Sequence, residues 1–65
     1  MNFPHIEKAL KEDEENNTLK VECVDDQWRA KLYTASYGTD CVEYGETVLI
    51  ALLRLERTLE IRIIL

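Results

Sequence analysis

Sixty-five residues carrying a formal charge of −5 make one domain, residues 1–65, with a small core. A chain this short buries only about 60% of the surface it exposes when unfolded, yet its 46% hydrophobic content is that of a folded protein and excludes a disordered one. The 13 acidic against 8 basic residues lack the clustered Lys and Arg that displace counterions from phosphate, so nucleic acid is not an expected partner.

Residues 1–17 are expected to carry an N-terminal helix, spanning 2 to 16. Asn2 is placed to cap it, Pro4 suits its first turn, and Phe3, Ile6, Ala9 and Leu10 recur at helical spacing to form one apolar face. The run Glu12-Asp13-Glu14-Glu15 sits where the helix dipole disfavours negative charge, so fraying is expected there before Asn16-Asn17 end the element.

Residues 18–44 read as an antiparallel sheet. Leu19 to Val24 and Trp28 to Tyr33 each alternate with period two, and Asp25-Asp26 between them is a turn candidate, though weaker than Asn-Gly. An even loop centred there sets Cys23 opposite Trp28, Val21 opposite Ala30 and Leu19 opposite Leu32, all on one face. Glu22 then falls opposite Arg29, and Lys20 opposite Lys31, on the other. Ser36 to Asp40 form the next turn, and a third strand is expected over Cys41 to Tyr44. A three-residue loop, Gly38-Thr39-Asp40, is preferred because it brings Val42 and Tyr44 onto the core face; a two-residue loop sends them to the other side.

Residues 45–65 read as an apolar helix and tail. Gly45 frees the chain to turn, and Thr47 (or Glu46) starts the helix. Val48, Ala51, Leu52, Leu55 and Leu59 form its inward stripe, with Leu49, Ile50 and Leu53 widening the apolar surface. Leu59 to Ile63 alternates like a strand, but no Gly or Pro separates it from the helix. Continued helix is preferred, with a short fourth strand as the alternative. Arg54, Glu56, Arg57, Glu60 and Arg62 interrupt the segment and exclude a membrane span. The order is helix, three-stranded meander, helix: an α+β domain of the α-β-β-β-α type.

At Gly45-Glu46-Thr47, followed by Ala51-Leu52, the chain resembles the HicB-like antitoxin domains, whose hallmark is a glycine, any residue, a threonine and then an Ala-Leu pair on the following helix. A cysteine four residues before the glycine (Cys41), and an acidic turn followed by an aromatic and a small residue (Asp26, Trp28, Ala30), extend the likeness over residues 19 to 57. Small sandwich domains of phage proteins share the same Gly-x-Thr approach to a helix. Leu49-Ile50 replace the Glu-Glu usual before the alanine, and the DNA-binding module such antitoxins append is not expected within these residues. The resemblance implies an antitoxin that neutralises a small basic RNA-cleaving toxin, with Glu22, Glu43 and Glu12 to Glu15 entering the toxin's cationic site. The element order also matches the double-stranded RNA-binding domain. The Lys-rich helix start of that family is absent at Glu46 to Ile50, which leaves fold similarity alone.

No residue set points to an enzyme, a cofactor or a metal. His5, the only histidine, has no nucleophile beside it and is expected to face solvent at a helix end. Cys23 and Cys41 form no CxxC and read as small buried apolar groups of a cytoplasmic protein, and export is not expected. The acidic run lacks the spacing and glycine of a calcium loop and reads as a solvated face. Trp28 is assigned to the core. What remains is an apolar excess that one subunit cannot hide. A non-catalytic interaction module is expected, forming a homodimer and engaging a basic protein, with interface candidates Tyr33, Tyr37, Leu49, Ile50, Leu53, Ile61 and Ile64.

Overall fold

The computed structural model describes residues 3–35 and 39–64, with Thr39, Ile63 and Ile64 described by their backbone alone. The elements are α1 (Pro4–Glu12), β1 (Thr18–Val24), β2 (Gln27–Thr34), β3 (Thr39–Gly45) and α2 (Val48–Ile64). The strands form one antiparallel sheet in the order β1-β2-β3, and both helices contribute to a core on one side of it. Ile6 of α1, Ala30 and Leu32 of β2, Cys41 of β3, and Ala51, Leu55 and Leu59 of α2 are buried together. Phe3, Ala9, Leu10, Leu19, Val21, Trp28 and Leu52 pack around them half-buried. The fold is therefore the α-β-β-β-α, two-layer α+β arrangement expected. The fourth strand does not form, because α2 stays helical through Ile64.

The first hairpin has the expected register: Leu19 pairs with Leu32, Val21 with Ala30 and Cys23 with Trp28. Asp25 and Asp26 both take positive φ, 50° and 65°, as the central residues of a two-residue turn matching the twist of its strands must. Left-handed backbone is unfavourable for a residue with a Cβ. Asp26→Gly is accordingly expected to stabilise the fold by about 0.5–1 kcal/mol, read as a higher urea midpoint with unchanged slope; a lower midpoint contradicts this account of the turn.

The second hairpin differs from expectation. Thr34 pairs with Thr39, so the paired positions are separated by an even number of residues, and Cys41, Glu43 and Gly45 face the helices while Val42 and Tyr44 point away. The reason is room. Ala30, Cys41 and Gly45 are small and let α2 approach the sheet, whereas Val42 and Tyr44 there would hold it off. Glu43, carried to the helix side by the same parity, accepts a hydrogen bond from the Thr58 hydroxyl at 2.9 Å.

α1 is shorter than expected. Asp13 leaves helical geometry, its carboxylate accepts from the Asn16 side chain at 3.0 and 3.1 Å, and its carbonyl accepts the Asn17 N–H at 2.8 Å. This local hydrogen bonding replaces the last helical turn that the acidic run disfavours. Asn17 is buried: its amide donates to the Ala9 carbonyl at 2.7 Å and its oxygen accepts the Ala35 N–H at 2.8 Å, clipping α1 to the end of β2. Phe3 holds the N-cap position of α1 without a side-chain cap, and Asn2 lies outside the described residues.

Candidate interaction surface

α2 begins where the sheet ends. The Thr47 hydroxyl accepts the Ile50 N–H at 3.1 Å, which makes Thr47 the cap. Gly45 sits against the first turn of the helix: a Cβ there would lie 2.6 Å from the Ala51 nitrogen and 2.8 Å from Ile50 Cγ2. The glycine is needed for close approach rather than for an unusual turn.

One side of α2 is thus consumed by the fold. Ala51, Leu55 and Leu59 enter the core, and Leu52 packs beside them. Val48, expected among the inward residues, is 36% exposed, because the first helical residue lies outside the covered strip. Glu56, on the flank towards α1, supplies the cap that α1 lacks. Its carboxylate accepts the His5 N–H at 2.9 and 3.0 Å and the Ile6 N–H at 3.0 Å, and it pairs with His5 Nδ1. His5 is therefore half-buried and engaged, not solvent-facing. Burial pushes the Glu56 carboxyl up, but the hydrogen bonds from Ile6 and His5, with the imidazole charge, outweigh it and leave the pKa below the ordinary value. Position alone offered a signal for this residue, since Glu56 lies four after Leu52 and three before Leu59 on the rim of the apolar stripe.

The other side of α2 is open. Leu49, Leu53 and Ile61 are 45%, 41% and 49% exposed, and Ile50 is half-buried beside them. At 100° per residue these four share the outward face with Arg54, Arg57 and Glu60. Leu53, Arg54, Glu56, Arg57 and Glu60 line a shallow depression there. Ile64 closes the helix, its side chain outside the described residues.

A second open surface is the helix-free side of the sheet. It holds Tyr33 and Tyr44, both exposed, with Lys20, Glu22, Arg29, Lys31, Asp40 and Val42. Its charges are largely matched: Glu22 pairs with Arg29 and stands 3.8 Å from Lys20, and Lys31 reaches Asp40 at 3.1 Å. Tyr37 lies outside the described residues. Of the sequence-derived candidates, Leu49, Ile50, Leu53 and Ile61 thus come together on α2, while Tyr33 belongs to a different face. Glu22 and Glu43, the two strand carboxylates assigned to a basic partner, lie on opposite sides of the sheet, and both are engaged within the chain.

Both cysteines are free. Cys41 is buried as expected; Cys23 is exposed, because β1 is the strand farthest from α2 and its end beside the turn has no helix over it. Trp28, opposite it, is half-buried against the core. Among the described residues no three His, Cys, Asp or Glu side chains converge as a metal-binding group, and no helix is long and apolar enough to cross a membrane. No protein-family model, no characterised protein and no solved structure matches the chain.

Proposed function

We propose that this chain is a small acidic, cytoplasmic, non-catalytic interaction module that associates with a second copy of itself through the outward face of α2. The observation that carries the reading is the exposure of Leu49, Leu53 and Ile61 on the side of a helix whose opposite side is fully used by the core. Such residues gain about 25 cal/mol for each Å² taken from water. The sheet face is the weaker candidate, since its tyrosines tolerate water and its charges are already paired. The unpaired cysteines fit a reducing compartment.

Interface size sets the expected strength. α2 is about 26 Å long at 1.5 Å per residue, and a helix pair of that length covers less than the roughly 800 Å² per partner of a standard interface. Area alone does not fix affinity, and a weak, reversible dimer populated between micromolar and millimolar concentration is the expected outcome. Sedimentation equilibrium tests this directly: the wild-type chain is expected to dimerise across that range, and Leu53→Glu to stay monomeric with unchanged circular dichroism. A wild-type chain that is monomeric at millimolar concentration contradicts the proposal.

A further inference from the structure

The orientation of this dimer is written in the charges beside the apolar residues, an inference that rests on the self-association proposed above. Arg57 and Glu60 lie one turn apart on the outward face of α2, both exposed. Among the described residues neither belongs to an ion pair within the chain. Leu53 precedes them by one turn and Ile61 follows directly, so the charged pair sits within the apolar strip rather than outside it. Arg54 is committed elsewhere, donating to the Tyr44 carbonyl at 2.7 Å at the margin of β3.

We propose that two copies pair through α2 in antiparallel orientation about a two-fold axis passing between Arg57 and Glu60. Arg57 of each copy then meets Glu60 of the partner subunit, and Leu53 of each packs against the last turns of the other helix, where Ile61 lies. A two-fold axis forms the ion pair twice, because an isologous interface repeats every contact. Parallel pairing sets Arg57 against Arg57 and Glu60 against Glu60, which like-charge repulsion disfavours. The two charges therefore select orientation, and Leu53 and Ile61 supply the attraction, while Leu49 lies beyond the overlap of the two helices.

Charge exchange between copies is the test. Arg57→Glu gives each subunit two acidic groups at these positions, and Glu60→Arg gives two basic ones. Each variant alone is expected to self-associate about tenfold more weakly than wild type. An equimolar mixture of the two is expected to form a heterodimer as tight as the wild-type dimer, although any contact between positions 57 and 60 within one helix stays broken in both chains. Circular dichroism of each variant verifies that α2 is intact. Single variants that dimerise like wild type, or a mixture that fails to recover, overturn the antiparallel pairing while leaving self-association standing. A wild-type chain that does not dimerise overturns both.

Discussion

Replacing Gly45 by alanine is expected to cost about 3 kcal/mol, the upper end of the range for inserting a methyl group into a close-packed contact. The added carbon would lie 2.6 Å from the Ala51 nitrogen, 2.8 Å from Ile50 Cγ2 and 3.0 Å from the Ile50 carbonyl carbon. Two of these three atoms are backbone, so no side-chain rotation relieves the overlap and the first turn of α2 must move off the sheet. Moving it also loosens Ala51, which is wholly buried. Against a total stability of roughly 3–10 kcal/mol for a chain this size, the loss is large. Urea denaturation followed by Trp28 fluorescence measures it. A midpoint close to wild type would show that the contact between β3 and α2 is looser than described.

Removing the carboxylate of Glu56 is expected to have the second-largest effect. Glu56→Ala leaves the His5 and Ile6 N–H groups and the His5 ring without their shared acceptor, at about 2–3 kcal/mol for hydrogen bonds to a charged group. The damage is local, since α1 is held otherwise by Ile6, its neighbours and the Asn17 clip. Hydrogen exchange is expected to rise in residues 4–12 well before the sheet amides change. The same group gives a defined acid response. The folded-state pKa of Glu56 is lower than its ordinary value of 4.5, so its contribution is fully present above the unfolded-state value and is lost as pH falls from about 4.5 through the lower folded-state value. Glu56→Gln is expected to flatten that part of the stability profile. A variant whose stability falls with acid as wild type does would mean that another carboxylate carries the effect.

Most of the architecture was legible because local signals agreed with one another. The alternation in β1 and β2, the two-residue Asp turn and the Thr47 cap each follow from spacing, and together they set register and element order. The β3 register departs from the apolar pattern because size outweighs apolarity there: Val42 and Tyr44 are the oilier residues, but Cys41 and Gly45 leave space for a helix. The partners of the polar anchors were not legible, although the place of Glu56 on the rim of the apolar stripe was. Asn17 and Glu56 act through backbone groups 8 to 51 positions away, and nothing in their immediate neighbours announces such partners. The open face of α2 was visible as an apolar surplus at Leu49, Ile50, Leu53 and Ile61. Separating those residues from Tyr33 required knowing which side of each element the core consumes.

Amide chemical shifts recorded while the chain is concentrated from the low micromolar to the millimolar range test most directly whether the outward side of α2 is the contact between copies. Shifts are expected to move along residues 49–61 and to stay fixed for Lys20, Lys31 and Tyr33 on the bare side of the sheet. Movement centred on those strand residues, or none anywhere, would contradict the account.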